Sequence, residues 1–184
     1  MEFRPAEPDK VTRWTTAAFG LAVIGLAVAA VLCWQYGQME PFYGLLPVTT
    51  ILALVLLIVR LFRPVSYVVM PDGLTVRRVG ARVVFIPWAM VESVRVLADI
   101  TPWNSGKTAG SSGLFGHFGG FRLKGVGAAW LSATNLGKLV LLQGDKNWVI
   151  SPEEPDAFVG YAEPYIAQAS GLREQLKANF AKAR

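Results

Sequence analysis

One cysteine, one histidine and a charged fraction of only 17% put several kinds of protein out of reach for this chain of 184 residues. Cys33 alone makes no internal disulfide, and with His117 as the single imidazole no metal cage built on His or Cys pairs can form. The charged share is well below the roughly 25% of an average soluble domain. Because 53% of the residues are hydrophobic, the disordered class is excluded, and 18 Gly and 11 Pro fall short of a collagen-like composition. The balance of 18 Lys and Arg against 13 Asp and Glu gives a net charge of +5, which suits an anionic membrane surface or a nucleic acid.

What the chain does have is two long uncharged runs. Thr15 to Trp34 is twenty residues without a charge, and a helix of that length covers about 30 Å, the thickness of bilayer hydrocarbon. Phe42 to Val59 is a second run of eighteen, closed by Arg60 and interrupted by Pro47, which helix neighbours in lipid tolerate. The intervening Gln35 to Pro41 allows only a tight return, so the pair predicts an antiparallel transmembrane hairpin with spans at about 15–34 and 42–60. Trp14, Trp34, Tyr36, Phe42 and Tyr43 fall at the expected water interfaces. Arg4, Lys10 and Arg13 precede the first span and Arg60 and Arg63 follow the second, whereas the return holds Glu40 and no cation. That asymmetry predicts a multi-pass protein of the inner (plasma) membrane with both termini cytoplasmic. Core helices of a soluble protein would show a polar face, and these runs show none. A cleaved signal peptide is disfavoured by the length of the first run and by the bulky Leu32 before Cys33. The small residues Gly20, Ala22, Gly25, Ala29 and Ala30 predict close helix packing without naming a partner. A Cys-His pair is also excluded, since Cys33 and His117 would lie on opposite sides of the membrane boundary.

Beyond Pro64 the texture changes to short β-rich stretches punctuated by turns. Val65–Met70, Leu74–Val79 and Arg82–Pro87 are separated by Pro71-Asp72-Gly73 and Gly80-Ala81, the signature of consecutive hairpins. A fourth strand is expected over Val91–Leu97, and three more over Ala128–Thr134, Leu139–Gln143 and Trp148–Ser151. Seven strands without intervening helices predict an antiparallel barrel or sandwich. Ser151-Pro152-Glu153-Glu154-Pro155 then carries helix-starting chemistry, and Phe158, Ala162, Tyr165, Ile166 and Ala169 recur at helical spacing. Pro164 is expected to kink or interrupt that helix. Residues 169–184 form a basic amphipathic pattern, with Leu172, Leu176 and Phe180 among Arg173, Lys177, Lys182 and Arg184.

The segments PVSYVVMPDGLTV, IPWAMVESVRV, SGLFGHFGGFRLKGVGAAWLSAT and WVISPEEPDAFV, following two apolar spans, resemble bacterial membrane proteins with a pleckstrin-homology-like (bacterial PH) domain. The resemblance covers about residues 64–168 and is most specific at GLFGHFGGF and ISPEEPDAF. It implies a cytoplasmic pleckstrin-homology-like antiparallel β-barrel capped by a C-terminal helix, with a non-catalytic role. The whole chain then reads as an α+β membrane protein: a cytoplasmic segment 1–13, a transmembrane hairpin 14–63, the barrel domain 64–168 and a basic C-terminal helix 169–184.

Catalytic patterns are hard to find. Gly106-Lys107-Thr108 ends like a phosphate-binding loop, but Thr101 stands where its first Gly belongs. Gly125 and Gly127 start a dinucleotide fingerprint that Trp130 breaks. The acids Glu153 to Asp156 suit a helix N-terminus. No enzyme activity and no cofactor are expected.

Two features stand out as binding candidates. Eight of the 22 residues from Gly106 to Gly127 are Gly, with Phe115, Phe118 and Phe121 at every third position. Either these rings fill the barrel mouth, or the segment presents Trp103, Leu114, Phe115 and Phe118 to the membrane or a partner. His117 reads as a loop residue. Arg77, Arg78 and Arg82, with Lys107, Arg122 and Lys124 further on, suit apposition to an anionic leaflet. The first hairpin turn, however, carries Asp72 and no Lys or Arg, whereas the eukaryotic lipid-binding relatives concentrate cations there. The expectation is a non-enzymatic integral membrane protein presenting an interaction or scaffolding domain. The alternatives are a sensor of anionic lipid headgroups and an accessory subunit of a membrane transporter or enzyme. The expected partners are the lipid bilayer and either a membrane protein or a second copy. An anionic lipid surface is a further possibility, and dispersed cations argue against nucleic acid.

Overall fold

A computed structural model describes residues 1–80, 83–97 and 107–182 of the chain. The two uncharged runs fold as helices α1 (Lys10–Gln35) and α2 (Met39–Leu61). Asp9 caps α1, its carboxylate accepting from the Thr12 amide at 2.7 Å. The return between the helices is shorter than the sequence suggested, and Gly37 supplies its left-handed turn at φ 71°. Only 6% of the most apolar window of α1 and 0% of that of α2 is buried. Leu21, Ile24, Ile51 and Ile58 are among the side chains left exposed. Both helices are long and apolar enough to cross a membrane.

The β strands form two sheets. The smaller has the order β1-β2-β3-β4, built from Glu2–Phe3, Pro64–Val69, Gly73–Arg78 and Val84–Pro87, all antiparallel. The larger has the order β5-β9-β10-β8-β7-β6. Its strands are β5 (Val91–Leu97), β6 (Lys107–Ser112), β7 (His117–Leu123), β8 (Gly127–Ala133), β9 (Leu139–Gly144) and β10 (Asn147–Ile150). A short 3-10 turn, Trp88–Met90, leads from β4 to β5. Its Trp88 is fully buried and donates its indole hydrogen to the Met70 carbonyl at 2.8 Å. Helix α3 (Pro155–Lys182) packs on β5 and this turn.

The core lies in two clusters on opposite faces of the larger sheet. Val140, Leu142 and Ile150 join Tyr67, Leu74, Ile86, Trp88, Phe158 and Ile166 between the two sheets and α3. Their neighbours Leu139, Leu141 and Val149 face the other way, onto Leu97, Phe121, Leu123 and Leu131. Strands apolar on both faces belong at a sheet centre, and β9 and β10 occupy it. Tyr67, fully buried at the heart of the first cluster, donates its hydroxyl to the Ser132 carbonyl at 2.8 Å and accepts from the Ser151 amide at 3.3 Å. Burial pushes its pKa up to about 12, so it stays a neutral donor.

Three expectations are corrected. The sheets do not close into a barrel, and the larger one is not purely antiparallel, because β10 runs parallel to β8 from Asn147↔Ala129 to Ile150↔Ser132. The doubly apolar β9 takes an interior place between β5 and β10, which separates β8 from its successor in sequence. The seven expected strands are ten among the described residues. The additions are β1 and the pair β6 and β7, drawn from the glycine-rich segment. Finally, α3 runs through Pro164 without interruption. Pro164 and Gly160, whose carbonyl it would crowd and deprive of a donor, both lie on the exposed side, where that carbonyl is open to solvent.

The amino-terminal residues, expected as a plain cytoplasmic segment, are part of the domain. Phe3 is 8% exposed and stacks edge-on against Phe158 with ring centroids 5.2 Å apart. Ala6 is buried and its amide donates to the Ser151 carbonyl at 2.8 Å, while Glu153 donates to Arg4 at 2.9 Å. Residues 1–9 thus bridge the β2 edge of the smaller sheet to the end of β10 in the larger. Replacing Phe3 by Ala should destabilise the folded domain by ~3 kcal/mol, the usual cost of emptying a core phenylalanine site. The exposed Glu2→Ala should stay within about 0.5 kcal/mol. Denaturant unfolding of the full chain in detergent compares the two, and equal effects would show that the segment is not held by its ring.

Candidate functional site

The helical hairpin and the sheets meet at two places, and both use residues from the glycine-rich segment. The first is the foot of α1. Asp9, Thr12 and Thr16 follow one another at helical spacing and form a polar stripe beneath the apolar run. The stripe faces the turn between β6 and β7. Thr16 Oγ1 accepts from the Phe115 amide at 2.9 Å and donates to the Gly113 carbonyl at 3.4 Å. His117, the first residue of β7 and only 4% exposed, lies against Asp9 and Thr12. Its Nδ1 is 2.8 Å from Ser112 Oγ, and its Nε2 is 3.4 Å from Thr12 Oγ1 and 3.5 Å from Asp9 Oδ2. A neutral ring meets this pattern, with the Ser112 hydroxyl donating to Nδ1 and Nε2–H directed at Thr12 and Asp9. Burial holds His117 below its ordinary pKa, and Asp9 only partly offsets this. Burial would raise the Asp9 carboxyl, but hydrogen bonds from Thr12 and the neighbouring His117 outweigh it and hold it below the ordinary value.

Glycine is required where the β6–β7 hairpin folds this tightly. A Cβ on Gly110, at φ 144°, would lie 2.0 Å from the Phe118 carbonyl oxygen, and one on Gly116, at φ 145°, would lie 2.6 Å from that of Ala133. Phe115 itself adopts φ 56°, an unusual conformation for a residue with a side chain, held by the Thr16 hydroxyl.

The second meeting place is a crevice of about 380 Å³ under the end of α2. Ile58, Val59 and Phe62 form one wall, and Phe118 and Trp130 another, with Gly110 and Gly119 leaving room between them. In the register of β7 with β8, Gly120 lies opposite Trp130 and Phe118 opposite Ser132, which puts Phe118 and Trp130 on one face of the sheet. The single charge in the lining is Arg78, the last residue of β3. Its guanidinium carbon sits 5.6 Å from the centre of the Phe62 ring. Its Nε is buried without a hydrogen-bond partner among the described residues. Burial pushes the Arg78 pKa down, with Tyr67 opposing, yet a guanidinium remains protonated at neutral pH.

The structure separates the residues that the sequence grouped. Arg77 points to the opposite side from Arg78 and makes an exposed pair with Glu2 at 3.8 Å, an interaction of little energy. Arg122 and Lys124 are exposed at the far end of β7 from His117, roughly 17 Å along the strand. Phe121 is buried in the second core cluster, whereas Phe118 is buried as a wall of the crevice. Leu114 and Phe115 are half-buried in the turn against α1. His117, read as a loop residue, opens a strand, because the glycines around it, at positive φ, still let the backbone pair with Ser112 on one side and Ala133 on the other. Trp103 and Arg82 lie outside the described residues. Sequence reasoning missed the stripe Asp9-Thr12-Thr16, although polar residues at steps of three and four beside an apolar run are a legible sign of a docked helix foot. The contribution of Ile58, Val59 and Phe62 carried no such sign, since apolar residues at the end of a span look the same whether they face lipid or protein.

The family model for the Bacterial PH domain matches residues 65–163. Neither a curated protein nor a solved structure matches the chain.

The buried His117 makes the foot of α1 sensitive to acid. With its folded pKa below the unfolded value of about 6.5, the unfolded chain takes up the proton more readily. The stabilising contribution of the neutral ring is therefore complete above about pH 6.5 and is lost as pH falls through the folded value. Asp9 is lowered as well, so its share persists to more acid pH, below its own ordinary range. Thermal unfolding of the full chain should show a lower midpoint at about pH 5 than at about pH 7, and His117→Gln should flatten that difference. A wild-type midpoint that stays level or rises on acidification would contradict the assignment.

Proposed function

Since the chain belongs to the Bacterial PH domain family, we propose that it is a non-enzymatic integral membrane protein whose helical hairpin holds this domain at the cytoplasmic face as a docking or scaffolding module. The observation that carries this reading is that both connections between hairpin and domain are short and fastened. The chain enters α1 directly from residues 1–9, which are hydrogen-bonded into the domain, and leaves α2 only two residues before β2. A tether would need slack, whereas this arrangement fixes the domain against the bilayer in one orientation. Almost none of the residues in the apolar windows of the two helices are buried in the chain itself, and lipid is the solvent that removes the cost. Orientation follows from Arg4, Lys10, Arg13, Arg60 and Arg63 on the domain side and their absence from the return. The only imidazole is engaged at both ring nitrogens by Ser112, Thr12 and Asp9, which supports a structural rather than catalytic use.

The single native cysteine makes the topology testable. In a Cys33→Ser background, a membrane-impermeant maleimide applied to intact cells should label Gln38→Cys in the return. It should reach Asp145→Cys in the domain only after the cells are opened, and the protein should stay in the membrane pellet after alkaline washing. Labelling of Asp145→Cys in intact cells, or release of the unlabelled chain into the aqueous fraction, would refute the proposal.

A further inference from the structure

The crevice under α2 joins a largely apolar channel, with Ser111 as its one hydroxyl side chain, to one cation whose Nε has no hydrogen-bond partner among the described residues. Four of its walls, Ile58, Val59, Phe118 and Trp130, offer only hydrocarbon or aromatic surface, and Trp130 is 50% exposed at its mouth. Such a lining is poorly suited to a free phosphate or any other small hydrated anion, which would exchange water for hydrocarbon. An uncharged apolar guest would in turn leave the Arg78 Nε without a partner. What satisfies both is an amphiphile with an acidic head and an acyl tail.

The location points to the source. Ile58 and Val59 lie in the last turn of α2 and Phe62 caps it, with Arg60 between them and Arg63 following. On the reading that α2 spans the bilayer, they stand at the depth where acyl chains give way to headgroups. We propose that this crevice binds one anionic glycerophospholipid of the inner leaflet, its headgroup phosphate on the Arg78 guanidinium and the first part of an acyl chain along Ile58, Val59 and Phe62 against Phe118 and Trp130. A phosphate oxygen is the acceptor that the Arg78 Nε lacks, and the planar fork binds it in a defined orientation. The site is at the opposite end of the β2–β3 hairpin from the Asp72 turn, since Arg78 pairs with Pro64. The lipid would wedge between helix and sheet, making the bilayer's acidic lipid content part of how firmly the domain is seated.

This inference rests on the hairpin being embedded, and the experiment separates the two. The full chain is reconstituted in phosphatidylcholine vesicles containing matched amounts of either acyl-brominated phosphatidylglycerol or acyl-brominated phosphatidylcholine. The fluorescence of Trp130 is taken from the difference between the chain and its Trp130→Phe variant. Trp130 should be quenched preferentially by the brominated phosphatidylglycerol. Arg78→Gln should reduce that preference about fivefold, the effect of one cation at an anionic surface, while the exposed Arg95→Gln leaves it in place. Arg78→Lys, which keeps the charge, should retain part of it. Equal quenching by the two lipids, or a preference that survives Arg78→Gln, overturns the site. If Arg78→Gln does not fold, competition decides: inorganic phosphate that abolishes the wild-type preference overturns the lipid assignment, and a preference that persists upholds it. Trp14 and Trp34, at the ends of α1, report on the hairpin separately. If neither lipid quenches them, the membrane reading fails; if both do and Trp130 shows no preference, only the lipid site fails.

Discussion

Backbone hydrogen bonds made by the first nine residues hold the rest of the structure in register. Val69 donates to Met1, Ala6 to Ser151, Glu153 to Arg4 and Asp9 to Thr134, so one extended segment touches both sheets before it turns into α1. Each bond alone contributes little net stability. The segment stays because Phe3 and Ala6 are buried at the same time, which couples apolar burial to hydrogen bonding over a few residues. Without that seam the smaller sheet would meet the larger through side-chain packing and the Tyr67 hydroxyl bonds, and α1 would start from a loose end.

The two contacts at the hairpin follow from this mooring. Because α1 begins where the seam ends, its first turns are pressed onto the β6–β7 turn, and the polar stripe of Asp9, Thr12 and Thr16 lies against the domain at the foot of a helix that is apolar from Ala17 to Trp34. Because α2 ends two residues before β2, its last turns are drawn over the end of β3, where Arg78 waits. One contact is polar and closed, with His117 sealed inside it. The other is apolar and open, with a cation at its base. The first has the features of a joint, and the second those of a receptor.

How much of this was legible in the sequence depends on where the information resides. The hairpin was plain because Thr15–Trp34 and Phe42–Val59 lack any polar face, a property of consecutive residues. The strands Pro64–Val69 and Gly73–Arg78 were plain for the same reason, since their turn chemistry at Pro71-Asp72-Gly73 is local. Strands β6 and β7 were hidden because glycine contributes no side chain to an alternating pattern, and Gly110 and Gly116 were needed for close backbone approach. Closure of a barrel was assumed from the number of strands, whereas closure depends on which edges find each other. The placement of β9 between β5 and β10 is a contest among distant segments, won by the strand with two apolar faces. The role of Phe3 was invisible, since a single ring in a short polar segment has no periodicity to read.

The fate of Arg77 and Arg78 shows why charge counting alone finds no site in such a protein. The two are adjacent in sequence and identical in chemistry, and strand alternation sends them to opposite faces of β3. Arg77 faces water and meets Glu2 at a distance and exposure where the pair is nearly neutral in energy. Arg78 turns under α2, loses part of its hydration and keeps a donor that is unpaired among the described residues, beside an aromatic ring. A net charge of +5 over the whole chain is a property that any similar set of exposed cations would share, and it singles out no position. A cation turned into a crevice differs in kind, because there the cost of leaving it unpaired is borne by the protein rather than by water.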